Sequence, residues 1–225
     1  MYGPRHRLGD TPVRETKDGR SEIRNWLARA AVAGLIALIA VQAAAGHRST
    51  AGHLLVASQT MSDPRFAETV ILMIEHDETG ALGLVVNRPL GAVPVARLLE
   101  RLGERPNPNA LNAIQGDIAV HAGGPVEPGR VFILHSPDVM AGGSKTVAEE
   151  VAVTVESEML LLIGQGAGPK DRIFVTGYSG WGPGQLDEEL ARADWAVVPA
   201  DRDLIFATNP GKTWLEALSR RGIDL

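Results

Sequence analysis

The sequence predicts an α+β fold, and three observations predict it. Short runs rich in Val, Ile and Leu recur from Gly52 onward, as buried strands require. Helical stretches separate only some of these runs, which argues against the strict alternation of a doubly wound parallel sheet. No internal period of about 20–50 residues signals a solenoid.

In chain order the strand-forming runs are His53–Ala57, Thr69–Glu75, Ala81–Val86, Ile118–His121, Val131–Leu134 and Arg172–Thr176. The second and third flank Asp77-Glu78-Thr79-Gly80, a loop suited to a hairpin. Val151, Val153 and Val155 alternate with small or polar residues, the pattern of a strand with one wet face. A helix is expected over VARLLERL, because Pro94 stands near its start and Gly103 just past its end. Another is expected over EMLLLIGQ, with Ser157 as cap and Gly166 as stop. Gln185–Arg192 places Leu186 and Leu190 one turn apart, and Lys212–Arg221 sets Trp214, Leu215 and Leu218 on one side. All of these segments lie in residues 47–225, which are expected to form a single domain, cooperative from about Gly52 to the C-terminus.

Composition supports a sizeable core and limits the chemistry. The chain has 225 residues, 44% of them hydrophobic, and no cysteine. A disulfide framework, a thiolate nucleophile and a Cys-based zinc site are thereby excluded. The net charge of −5 is uneven: residues 1–29 hold seven Lys/Arg against four Asp/Glu, leaving about −8 for the rest. A body of that sign repels phosphate backbones, so no nucleic-acid partner is expected.

Residues 1–29 read as a basic, disordered segment, and residues 30–46, AAVAGLIALIAVQAAAG, as an apolar helix free of charge. That run is slightly short for a span of about 20 residues. It ends in small residues, as a signal peptide does before its cleavage site. Its apolar side chains occupy every face, unlike the one-sided stripe of a surface helix. Membrane contact through residues 30–46 is expected, with the acidic body anchored at the inner membrane or exported to the periplasm. A start codon chosen too far upstream would instead leave a cytoplasmic protein.

Three familiar chemistries fail at named positions. Gly177-Tyr178-Ser179-Gly180-Trp181 approaches the G-x-S-x-G nucleophile elbow, but Trp181 replaces the second glycine and no histidine follows Ser179. Gly211-Lys212-Thr213 opens a helix as a P-loop does, yet Phe206 stands where the motif needs its first glycine. His53, His76, His121 and His135 are scattered without ligand spacing, so no metal and no cofactor are expected. The loop GYSGWGPGQL therefore reads as a structural corner, with a dispensable serine and with Pro183 and Asp187 favouring the start of the helix that follows.

A set of short words occurs in order along the chain: Asp63-Pro64-Arg65-Phe66, Glu75-His76, Gly83-Leu84-Val85-Val86-Asn87-Arg88-Pro89, Gly123-Gly124-Pro125-Val126, Leu134-His135, and Gly177 through Trp181 with Gly184-Gln185-Leu186. Together they resemble the bacterial AlgH/YqgE family, over residues from about Gly52 to the C-terminus. The resemblance implies a mixed, branched sheet curled into a pseudo-barrel with short helices around it. It brings no assigned catalytic residues and a transcriptional-regulator label that the acidic body does not support. Two departures stand out: Asp187 replaces the family's usual Glu, and the N-terminal segment precedes the position near His53 where members generally begin.

The polar residues of these words form the candidate surface: Arg65, His76, Asn87, Arg88, His135, Tyr178, Trp181 and Gln185. They point to a non-catalytic binding or regulatory domain whose partner is a protein or a small ligand. One alternative is an enzyme using His76 or His135 as general base, and a second is a cytoplasmic transcriptional regulator. A concave site holding a histidine, Arg88 and Gln185 would favour ligand chemistry, and a flat surface a protein partner.

Overall fold

The computed structural model describes residues 48–103 and 114–220. The expected disordered segment at 1–29 and apolar helix at 30–46 lie outside them. In order the elements are β1 (His53–Ala57), β2 (Val70–Asp77), β3 (Gly80–Val85), β4 (Pro89–Pro94), α1 (Val95–Arg101), β5 (Asp117–Ala122), β6 (Val126–His135), β7 (Lys145–Ala148), β8 (Val151–Thr154), α2 (Glu158–Gly164), β9 (Arg172–Trp181), α3 (Gln185–Ala191), β10 (Trp195–Pro199), α4 (Arg202–Ile205) and α5 (Pro210–Ser219). Among the described residues no helix is long and apolar enough to cross a membrane.

The strands form one mixed α+β sheet that curls into a half-barrel, in the order β10-β1-β2-β3-β9-β6-β8-β7. It branches at β9. One edge of this strand pairs with β6, while the other pairs first with β5, in parallel from Phe174 to Thr176, and then with β3, antiparallel from Ser179 to Trp181. β4 extends the branch by pairing with β5. Gly177, at φ 69°, marks the change of partner. There the chain leaving β5 passes so close to β9 that a Cβ on Gly123 would strike the Gly177 carbonyl and one on Gly124 the Tyr178 backbone. Gly123, Gly124 and Gly177 are thus required by close backbone approach.

GYSGW is therefore strand, and only Gly182-Pro183-Gly184 forms the corner, with Gly184 in the left-handed region at φ 71° opening α3. β9 runs five residues beyond Thr176, where the sequence pattern ends it. β4, β7, β10 and α4 have no counterpart in the expectations above. β8 departs from the one-wet-face reading: Val151 through Thr154 are all buried, and Val155 lies past the strand and is exposed. Ser157 occupies the N-cap of α2 without a side-chain capping bond, its backbone already helical at φ −65°, ψ −19°. In α5 Thr213 and Ala217 are buried and Trp214 and Leu218 pack against the core as expected, whereas Leu215 is 60% exposed.

Both faces of β1 and β2 are covered, which explains their unbroken apolar runs. Leu54, Val56 and Leu72 pack with Leu134 and Val175 on one face; Leu55, Ile71 and Met73 pack with Trp181, Leu186 and Trp195 on the other. A third cluster joins α1 and α2 to β5 and β9 through Leu99, Met159, Ile118 and Phe174.

Candidate functional site

The second of the two β1–β2 clusters opens to solvent as a cleft of about 310 Å³ between the Met61–Phe66 loop and α3. Its apolar wall is aromatic. Trp181 and Trp195 meet edge to face at 6.2 Å, and Phe66 lies 6.5 Å from the first ring and 5.8 Å from the second. Trp181 reaches this position because strand alternation from Ser179 turns it toward α3; Trp195 comes from β10, and Phe66 from the Asp63–Ala67 turn.

Glu189 organises the polar side. Its Oε2 accepts the indole N–H of Trp181 at 2.9 Å and that of Trp195 at 2.8 Å, and its Oε1 accepts from Gln185 Nε2 at 2.9 Å. Gln185 completes the chain by accepting the Gly182 N–H at 3.1 Å, which fixes the start of α3. One carboxylate thus orients two rings and one amide.

Two arginines stand at the rim, each paired to an aspartate two residues away: Arg65 with Asp63 at 2.7 Å and Arg192 with Asp194 at 2.9 Å. The bond from the Arg65 guanidinium holds the Asp63 carboxyl below its ordinary pKa, and the Arg65 pKa is raised in turn. Arg65 also lies 5.7 Å from the Phe66 ring centroid, within cation–π range. The rim therefore carries both signs of charge above an apolar floor.

The structure brings three of the eight sequence candidates into this cleft: Arg65, Trp181 and Gln185. Tyr178 lies beside it, in a shallower hollow that Trp181 also lines. Its hydroxyl donates to Glu127 at 3.2 Å and its ring packs on Phe132 and beneath Arg130. Asn87 and Arg88 engage the 67–70 backbone: Asn87 accepts from the Val70 N–H and donates to the Glu68 carbonyl, both at 2.8 Å, and Arg88 donates to the Ala67 carbonyl at 3.2 Å. His135 is fully buried between the Ser136 carbonyl and the Ser144 hydroxyl.

His76 is buried as well. Its Nδ1 accepts the Thr50 N–H at 3.2 Å and lies 3.0 Å from the Thr50 hydroxyl, while Nε2 is 3.8 Å from an Asp187 carboxylate oxygen. Glu75 and Asp77, its neighbours on β2, are exposed on the opposite face. Ser179 is buried and donates to the Gly123 carbonyl at 3.3 Å. Among the described residues no three His, Asp or Glu side chains are grouped to hold a metal ion.

Sequence reasoning passed over Phe66, Glu189, Arg192 and Trp195 as site residues. Phe66 closes the Asp63-Pro64-Arg65-Phe66 motif, and Glu189 follows Gln185 by one helical turn, so that spacing is the available signal.

Comparison with known proteins agrees with this architecture. The AlgH-like family model matches residues 54–225. A UPF0301 protein of Methylococcus capsulatus is 40% identical over 180 residues, covering 80% of this chain and 96% of its own. A UPF0301 protein of Cereibacter sphaeroides is 42% identical over 175 residues, 77% of this chain and 92% of its own. The solution structure of the AlgH protein from Pseudomonas aeruginosa superposes with a TM-score of 0.62 at 34% identity, covering 80% of this chain and 93% of that one. A crystal structure of a Corynebacterium diphtheriae protein shares the fold, with a TM-score of 0.59 at 22% identity over 77% of this chain and 87% of that one. With matching motif order, branched sheet and family model, the chain belongs to the AlgH-like family.

Proposed function

We propose that this chain is a non-catalytic binding domain that uses the aromatic cleft beside α3 to hold an apolar side chain of a protein partner. One observation carries the reading: Glu189 accepts three N–H groups at once, so the aromatic wall is pre-set before anything binds. Rigid aromatic floors with a charged rim favour protein recognition, because little side-chain entropy is lost when the partner docks. Regulation would then act through occupancy of the cleft. The acidic body argues against a DNA-binding regulator, and submicromolar, salt-dependent DNA binding by the fragment from Gly52 onward would overturn that exclusion.

The apolar run at 30–46 supports a further part of the proposal, that the domain works tethered to or exported across the inner membrane. Replacing Leu35 and Ile39 with Arg adds roughly 5–7 kcal/mol to insertion. The double variant should move to the soluble cytoplasmic fraction; identical fractionation of parent and variant refutes the targeting role. For the cleft, the test is co-purification of a discrete partner by the tagged full-length chain and its loss on Arg65→Glu, a substitution at an exposed residue.

A second reading rests on His76. The order Thr50, His76, Asp187 places a hydroxyl at one ring nitrogen and a carboxylate near the other, the arrangement of an activated nucleophile. A hydrolytic activity abolished by Thr50→Val and by His76→Gln would replace the binding reading with this one.

A further inference from the structure

A second cleft, of about 480 Å³, lies away from the aromatic site, between the β4–β5–β9 arm of the sheet and the loop from Phe206 to Pro210. His121 lines it from β5 and is 4% exposed. Its Nδ1 lies 2.6 Å from the Val86 carbonyl, which can only accept, so the ring proton sits on Nδ1. Nε2 makes no hydrogen bond among the described residues and is not sealed from solvent. Strand alternation puts His121 on the same face as Asp117 and Ala119, both of which also line the cleft. The ring thus presents an unprotonated nitrogen, an acceptor, to this space. Burial lowers the His121 pKa, outweighing the opposing effect of the Val86 bond, and keeps the ring neutral near pH 7.

The other end of the cleft carries both signs of charge. Lys170 lines it from just before β9 and Asp117 from the start of β5, while Arg172, the first residue of β9, donates to the Pro169 carbonyl at 2.6 Å. Asp171 is already committed to Arg202, at 2.7 and 2.5 Å. His121 stands level with Val175 in the parallel β5–β9 register, so Arg172 lies three residues back and Asp117 four. At the parallel-strand rise this separates the charged end from His121 by roughly 10–13 Å. Ile173 and Phe206 supply apolar walls between the two ends.

We propose that this cleft binds a small zwitterion with a hydroxyaryl tail, of which tyrosine is the simplest example: ammonium to Asp117, carboxylate to Lys170, ring against Phe206 and Ile173, and hydroxyl donating to His121 Nε2. The acceptor at the far end sets the specificity. A ring without a donor would bury Nε2 with its water removed and nothing in return, which typically weakens binding tenfold or more.

Calorimetric titration of the full-length chain with L-tyrosine, alongside the histidine ring signals by NMR, tests the proposal. Saturable binding is expected, with the His121 signals, assigned from the His121→Phe variant, shifting on titration. L-Phenylalanine, lacking the donor, and tyramine, lacking the carboxylate, should each bind about tenfold more weakly. Asp117→Asn, at an exposed residue outside the core, should weaken L-tyrosine about tenfold while the chain stays folded. Equal binding of tyrosine and phenylalanine, unmoved His121 signals up to the solubility limit of tyrosine, or an undiminished affinity in Asp117→Asn each overturns it.

Discussion

Trp181 donates its indole N–H to Glu189 at 2.9 Å, although the two residues lie on different elements, the end of β9 and the last turn of α3. With Trp195 bound to the same oxygen, the pair makes one carboxylate the keystone of the aromatic wall. Glu189→Ala leaves both indoles without an acceptor and should cost about 2–4 kcal/mol, since hydrogen bonds to charged groups are worth about 1.5–3 kcal/mol each and the site is partly open to water. Glu189→Gln keeps an acceptor oxygen and should cost only about 1 kcal/mol. Urea denaturation of both variants checks the ranking, and equal losses would contradict the keystone role.

Trp181 and Ser179 are both buried on β9 yet should respond differently. Trp181→Ala removes a ring that packs against Phe66, Trp195 and Leu186, and should cost roughly 3–5 kcal/mol. Ser179→Ala removes one 3.3 Å bond to a Gly123 carbonyl that also accepts the Val85 N–H, so the loss should stay below about 1 kcal/mol. Unfolding midpoints of the two variants measure the difference. A Ser179→Ala loss as large as that of Trp181→Ala would mean that the serine has a role the hydrogen bonds do not explain.

The branch of the sheet makes a sharper demand. Gly124 sits at φ 152° against the backbone of Tyr178, with no room for a methyl group. Gly124→Ala should destabilise the domain by at least about 3 kcal/mol, through overpacking together with backbone strain. Gly129, whose Cβ would meet nothing within 4 Å, is the control, and its alanine variant should fall within about 0.5 kcal/mol of the parent. Similar thermal midpoints for the two variants would count against the branch geometry.

These glycines also show where the sequence was legible. Runs such as Leu54–Ala57 and Val70–Ile74 read directly as strands because both faces are buried and every residue is apolar. GYSGW reads as a turn because glycine usually serves turns, and nothing local reveals that another strand passes against Gly177. β4, with Pro89, Gly91 and Pro94 and mostly exposed side chains, lacks any strand signature and pairs only through tertiary context. In the cleft, Trp181 and Gln185 were visible as motif residues. Glu189 was not, because an acidic residue on a short helix usually faces water; its role depends on two tryptophans fourteen residues apart in sequence meeting at one oxygen.

Acid should weaken the fold through Asp138 and Asp201. The Ser136 hydroxyl donates to Asp138 and lowers its pKa. Burial acts to raise that of Asp201, but bonds from the Arg220 guanidinium and from the Leu204 and Asp203 N–H groups together lower it. A carboxylate depressed in the folded state adds stability that is present above its unfolded pKa and is lost as pH falls through the folded value. Stability should therefore decline as pH drops below about 4, and less steeply in Asp201→Asn. Urea midpoints measured across that range check it, and parallel curves for parent and variant would contradict it.

The most direct test of the binding reading is site-specific photo-crosslinking in living cells, with the photoreactive residue at Arg192 on the cleft rim or, as control, at exposed Lys212 on α5. The account predicts a discrete protein adduct from position 192 that is lost when Arg65→Glu is added, and no such adduct from position 212. Adducts common to both positions, or an adduct at 192 indifferent to Arg65→Glu, would contradict it.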